Sequence, residues 1–246
     1  MRMSMRRDAE RIVSQAIQAV QPDAAVRQAL WGRHLSGRVV LVAVGKAAWQ
    51  MAKTAHDCLK ERIEQGVVIT KYGHAKGALA NFRCYEGGHP IPDENSFRGT
   101  QAAISLVEAL SEGDTVLLLL SGGGSALFEK PLIPFKELQD ITSQMLAGGL
   151  DIVEMNTIRK RLSAVKGGRF AELCAPAQVL SIVLSDILGD PLDMIASGPA
   201  YPDATTCVQA QTIVEKYHLR LSAQARSQLA RETPKALTNV ETIITG

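Results

Sequence analysis

Disulfide patterning, aromatic rings, net charge and long apolar runs are all scarce in this 246-residue chain. The four cysteines, Cys58, Cys84, Cys174 and Cys207, are scattered with no C-x-x-C pair. They read as free thiols in a reducing compartment, the cytoplasm by expectation, and not as a disulfide framework. The charge balance, 27 Lys+Arg against 25 Asp+Glu, leaves +2, which counts against a general nucleic-acid binder, whose footprint is strongly basic. Aromatic residues are only 4% of the chain, and near the basic stretch Asn156 to Arg169 only Phe170 could offer a ring for base stacking. The longest apolar run, Val39 to Val44, is far short of the roughly 18 residues of a membrane helix. No apolar stretch follows Arg2, Arg6, Arg7 and Asp8, so a signal peptide is not expected either. The five histidines, His34, His56, His74, His89 and His218, show no zinc-ligand spacing. Gly 20 and Pro 10 match the ordinary globular background.

What is present is an apolar fraction of 46%, enough for a compact core, in a length that suits one large domain or two small ones. Ile12, Val13, Ala16, Ile17 and Val20 follow Asp8 at helical spacing, with Asp8 as the expected N-cap. Val39 to Val44, bounded by Gly37 and Gly45, reads as a strand buried on both faces. Ala48, Met51, Ala52, Ala55 and Leu59 return to a helical period before a second run, Val67 to Thr70. The same grammar recurs. Asp93 caps a helix carrying Ala102, Ala103, Leu106, Val107 and Leu110, strands follow at Val116 to Leu120 and Val179 to Leu184, and Val208, Ile213 and Val214 mark another helix. The expected fold is α/β: an open, mostly parallel sheet with helices on both faces, a Rossmann-like three-layer sandwich. No repeat or linker divides it, so residues 1–246 are expected to form a single domain. The Gly- and Pro-rich segment from Lys71 to Ser96 is expected to be an excursion from the core.

Ligands of such sheets bind beyond the carboxyl ends of the strands, and four stretches lie there. Gly45-Lys46 follows the first strand. It is no P-loop, because Val40 and Ala47 stand where Gly and Ser/Thr are needed, and on spacing alone Lys46 reads as a solvated lysine ahead of a ligand contact. Ser121-Gly122-Gly123-Gly124-Ser125-Ala126-Leu127 follows Val116 to Leu120. Leu127 breaks both G-x-G-x-x-G and G-x-S-x-G, but three glycines before a helical turn can point successive amides at an anion, more than a bare turn requires. In Asn156 to Ser163, leading to Lys166-Gly167-Gly168, residues Asn156, Arg159 and Lys160 share a helix face. That face is either a solvated basic surface or one wall of a site. Ser185-Asp186 with Gly189-Asp190, followed by Ala196-Ser197-Gly198-Pro199, offers carboxylates that either hold Mg²⁺ and accept a proton or cap helices.

In this order the stretches resemble the N-terminal domain of the class II glycerate kinases, the glycerate 2-kinase family, under an older label hydroxypyruvate reductase. The resemblance rests on Val44-Gly45-Lys46-Ala47-Ala48, Gly88-His89-Pro90-Ile91-Pro92-Asp93, Ser121 to Leu127, Asn156 to Ser163 with Lys166-Gly167-Gly168, and Ser185-Asp186 with Gly189-Asp190 and Ile195 to Pro199. It covers the chain from the first strand to Pro202. It implies transfer of the ATP γ-phosphoryl group, with Mg²⁺, to the 2-hydroxyl of D-glycerate. Lys46 and Asp186 would then be catalytic, Ser121, Gly122, Gly123, Gly124, Ser125, Asn156, Arg159, Lys160 and Lys166 would bind phosphate or substrate, and Asp186 and Asp190 would hold metal. A homo-oligomer is compatible with it. Arg161 stands where the family more often has His, implying one altered cleft contact. The family continues beyond Glu241-Thr242-Ile243-Ile244-Thr245-Gly246 into a second, C-terminal domain, expected to be absent from these residues. Two other readings are a fragment that binds ligand without turnover and an NAD(P)H-dependent hydroxypyruvate reductase. The missing G-x-G-x-x-G counts against the latter.

Overall fold

The computed structural model describes residues 2–19, 21–185 and 189–245. Helices α1 (Arg2–Ala19) and α2 (Pro22–Leu30) precede β1 (Val39–Val44), α3 (Ala48–Leu59), β2 (Ile63–Lys71) and β3 (Phe82–Gly87). Then come α4 (Glu94–Val107), β4 (Thr115–Leu120), the short turn α5 (Gly124–Leu127), α6 (Phe135–Ala147), α7 (Ile152–Arg161) and α8 (Arg169–Cys174). The rest is β5 (Gln178–Leu184), α9 (Cys207–Lys216), α10 (Ala223–Leu229) and β6 (Val240–Thr245). The strands form one sheet in the order β3-β2-β1-β4-β5-β6, and every pair is parallel.

The period of two along β1 divides its side chains between two cores. Val40, Val42 and Val44 join Val116, Leu118 and Leu120 beneath α4 and α8, while Val39, Leu41 and Ala43 join Leu117 and Leu119 beneath α2 and α3. Burial of each such valine or leucine is worth roughly 1.5–3 kcal/mol, so the continuous apolar runs are what fix the three-layer arrangement. A third core lies away from the sheet, where α6, α7, α9 and α10 bring together Leu138, Ile141, Ile158, Leu162, Ile213 and Leu229. Capping boxes start three helices: Asp93 with Ser96 on α4, Asp151 with Glu154 on α7, and Thr206 with Gln209 on α9. Each is worth about 1 kcal/mol.

Two expectations need correction. Asp8 lies within α1 instead of capping it, because the helix begins before the apolar spacing does. The Lys71 to Ser96 segment contains β3, which pairs with β2 from Gly66↔Phe82 to Lys71↔Gly87. As an edge strand, β3 keeps polar Arg83 and Glu86 among half-buried Phe82, Cys84 and Tyr85, so no apolar run announces it. No helix among the described residues is long and apolar enough to cross a membrane, and all four cysteines are free.

Candidate active site

From β1 the chain crosses to β2 on one side, whereas β4 pairs on the other. The crevice beyond the carboxyl ends of β1 and β4 is therefore the sheet's topological switch point. The turns leaving the two strands are zipped together there. The Ser121 N–H donates to the Val44 carbonyl at 3.0 Å, the Lys46 N–H to the Gly122 carbonyl at 2.8 Å, and the Ala47 N–H to Ser121 Oγ at 3.1 Å. Two glycines make this approach possible. Gly45 sits at φ +118°, where a Cβ would run into Ser121. Gly123 sits at φ +88°, and a Cβ on it would stand 3.1 Å from His89 Cδ2 and 3.2 Å from Lys46 Cγ. Lys46 from β1 and His89 from the loop after β3 therefore meet at the glycine-rich turn.

A second ring of contacts holds that turn from behind. Ser125 Oγ lies 3.0 Å from Ser197 Oγ, which in turn donates to Asn156 Oδ1 at 3.5 Å, and Asn156 Nδ2 donates to Met194 Sδ at 3.1 Å. The Gly167 and Gly168 N–H groups donate to the Ser197 and Gly198 carbonyls at 3.0 and 2.7 Å. Ala196 and Ser197 are held at φ +51° and +60°, a left-handed conformation costing non-glycine residues about 1–3 kcal/mol each. Gly124 must stay bare, since a Cβ there would come within 2.6 Å of Ala196 Cβ. The stretches at Gly45-Lys46, Ser121 to Ser125, Asn156 to Lys166 and Ile195 to Pro199 thus converge on one place. Asp186 lies outside the described residues.

The cations of these stretches divide into two kinds. Lys166 is buried, and its ammonium donates to the Ser125 carbonyl (2.8 Å), the Phe128 carbonyl (2.7 Å) and Glu129 Oε2 (3.1 Å). Burial lowers its pKa, and the Glu129 charge opposes that shift. These three contacts tie Lys166 to the turn, at the wall of the cleft. Lys160 is equally buried, 3.3 Å from Asp203 and 3.4 Å from Asp193. Arg161 donates to the Thr205 hydroxyl and carbonyl and to Glu232 Oε2 at 2.9, 2.7 and 3.1 Å. Neither cation presents itself to a ligand, so the shared basic face and the cleft contact expected of Arg161 give way to an interior network around Asp203. Burial alone would raise the Asp203 pKa, but the Lys160 charge and hydrogen bonds from Thr233 and Thr205 outweigh it and hold the carboxyl below its ordinary value.

Lys46 and Arg159 are the exceptions: no side-chain hydrogen bond or ion pair holds either of them among the described residues. Arg159 lies on the wall of a cleft of about 400 Å³ that is also lined by His89, Gly123, Ser125, Glu129 and Lys166. Burial lowers the Arg159 pKa against the opposing pull of Glu129. His89 is likewise held below its ordinary value by burial, then by the charges of Lys46, Lys71 and His74. Asp190 does not share this cleft. It is exposed and lines a separate groove beside α2 and β6, with Trp31, Arg33 and Ile244. Among the described residues no group of three or more His, Cys, Asp or Glu side chains could hold a metal ion.

Three residues of this arrangement carry no clear signal in the sequence. His89 lies in the Gly88 to Asp93 stretch, to which spacing gives no role, and its proximity to Gly123 depends on β3. Glu129, whose Oε1 has no hydrogen-bond partner, had one faint signal, a charge directly after the buried Ala126-Leu127-Phe128 run. Asp203, in a loop 43 residues after its partner Lys160, had none.

The family model described as a domain of unknown function, DUF4147, matches residues 8–230. The D-glycerate 2-kinase of Thermotoga maritima is 52% identical over 245 residues, 99% of this chain and 58% of that protein. The glycerate 2-kinase of Pyrococcus horikoshii is 40% identical over 230 residues, 88% of this chain and 51% of that protein. The crystal structure of a glycerate kinase from Thermotoga maritima superimposes with a TM-score of 0.93 at 50% identity, over 98% of this chain and 59% of that one. The chain spans about half the length of the curated relatives it matches.

Proposed function

This chain belongs to the DUF4147 family, and from that premise we propose that it transfers the γ-phosphoryl group of ATP to the 2-hydroxyl of D-glycerate, giving 2-phosphoglycerate. The observation that carries the reading is the pairing of an uncommitted lysine, Lys46, with the glycine-rich turn at the switch point. Phosphoryl transfer depends on positioning and charge neutralisation more than on covalent participation. Lys46 supplies a cation without a competing partner, the Gly122-Gly123-Gly124 amides line the turn beside it, and Arg159 supplies a second cation across the cleft. Ser121, Ser125, Asn156 and Lys166 keep those groups in place. Mg²⁺ would be carried by the triphosphate, since this ion keeps most of its ligands from phosphate and water, and Asp186 would be the carboxylate that holds it and neutralises charge there. The cytoplasm, with its reduced thiols, is the compartment of this reaction.

The test is ATP-dependent formation of 2-phosphoglycerate by the 246-residue protein. Lys46→Ala is expected to lower kcat/KM roughly a hundredfold, the loss seen when one preorganised donor to developing charge is removed. Equal turnover in both proteins removes Lys46 from the mechanism. Calorimetric binding of D-glycerate and Mg-ATP without any turnover selects the binding-only reading in its place.

A further inference from the structure

The cleft beside the glycine-rich turn is larger and more apolar than a three-carbon acid can use. Its polar end holds Gly123, Ser125 and Arg159, and its other end is walled by Ile91 and Pro92 from the loop after β3 and by Phe135, Leu138 and Leu146 from α6. Two of these side chains stand out. Ile91 is 66% exposed and Leu146 is 64% exposed, yet both face the same cavity from different elements. Leu138 behind them is buried, and Phe135 is held edge-on against Phe97 with ring centroids 4.9 Å apart. The wall is therefore fixed, and its apolar surface is open. A cavity of about 400 Å³ lies within the range of small-molecule sites, which combine apolar walls with a few polar groups. Glycerate carries an oxygen on every carbon and would leave this wall wet.

We infer that the apolar end of the cleft is the nucleoside pocket, with the adenosine of the nucleotide held between the Ile91-Pro92 loop and the α6 face formed by Phe135, Leu138 and Leu146. The inference rests on the kinase reading for the identity of the ligand and adds where its base and ribose lie. The phosphates then run along the polar end, past Arg159 toward Gly123 and Lys46, which leaves the acceptor on the far side of the turn. The Thr142 hydroxyl on α6 lines the same wall. Although it donates to the Leu138 carbonyl at 2.7 Å, it retains lone pairs that can accept from the base edge.

Calorimetry with the 246-residue chain and four probes, adenosine, ATP, inorganic tripolyphosphate and D-glycerate, tests this independently of turnover. Adenosine alone is expected to bind, and ATP to bind more tightly than tripolyphosphate. Leu146→Asn and Ile91→Asn alter exposed positions and leave the fold intact. Each should weaken adenosine and ATP by about tenfold, the effect of losing one apolar contact, with tripolyphosphate and D-glycerate binding unchanged. Tripolyphosphate binding as tight as ATP, or ATP affinity unmoved by both variants, overturns the inference. If the chain binds adenosine in this way but forms no 2-phosphoglycerate, the kinase reading fails and the nucleoside pocket stands.

Discussion

Basic side chains at the β1–β4 crevice and in the helical layer of α7, α9 and α10 meet opposite surroundings. In the helical layer Lys160 and Arg161 are buried and bonded to Asp203, Asp193, Thr205 and Glu232. At the crevice Lys46 is exposed at a turn whose backbone is bonded to the turn leaving β4, and Arg159, one residue before Lys160, points into the cleft. Charge in the first region specifies how helices sit against the Asp203 loop. In the second it is left unspent on rigid backbone, which is the condition for electrostatic stabilisation of a reacting group. Neighbouring positions on one helix can therefore belong to different tasks, and the sequence charge of a segment does not say which.

The largest effect that would break this comparison is expected at Asp203. Asp203→Asn leaves Lys160 and Arg161 buried with their shared countercharge gone, and removal of one partner from such a network costs about 3–5 kcal/mol. Urea unfolding should show it as a lower midpoint. Because the Asp203 pKa is lowered in the folded state, its contribution is present above the unfolded carboxylate value near 3.9 and is lost as pH falls through the folded value. Wild type should shed that part of its stability on acidification, whereas Asp203→Asn has none of it to lose. An Asn variant as stable as wild type would mean that the helical cations are not structural.

Lys166→Met should come next, at about 3 kcal/mol, since it strands Glu129 and frees the carbonyls of Ser125 and Phe128. A Glu129→Gln/Lys166→Met double variant should be less destabilised than Lys166→Met alone, because the stranded charge is gone; additive losses in the double-mutant cycle would show that the two do not act as a pair. Lys46→Ala sharpens the contrast from the other side. Its unfolding free energy should stay within about 0.5 kcal/mol of wild type, while the hundredfold loss of turnover corresponds to about 2.7 kcal/mol of barrier. A large stability loss in Lys46→Ala would place Lys46 with the clamps.

How far the two regions could be read from the residues differs for a physical reason. Val39 to Val44 and Val116 to Leu120 announce buried strands through local composition, and the backbone freedom of Gly122, Gly123 and Gly124 announces an unusual turn, so both strands and the turn were legible, whereas the strand order that makes their crevice the switch point was not. The helix face of Asn156, Arg159 and Lys160 was legible as spacing, and Asp151 and Glu154 start that helix as a capping box. Its rotation against the rest was not, because Met155, Ile158 and Leu162 anchor it in a core assembled with α6, α9 and α10. Partners separated by tens of residues, such as Lys160 with Asp203, leave no periodic trace. For the same reason β3, half-exposed at the edge, hid both itself and the histidine it delivers.

The smallest effect is a pH dependence at that histidine. Burial and the charges of Lys46, Lys71 and His74 hold the His89 pKa below its ordinary value, so an anion settling beside Gly123 offsets those charges and favours the protonated ring. Binding should then take up a proton, and affinity should rise as the solution becomes more acidic across the histidine range. Inorganic sulfate, whose own charge stays constant, is the suitable probe. Wild type is expected to bind it a few-fold more tightly at about pH 5 than at about pH 7.5, and His89→Gln should lose that increment while keeping the affinity seen at the higher pH. An unchanged slope in His89→Gln would assign the proton to another group and remove His89 from anion binding at the crevice.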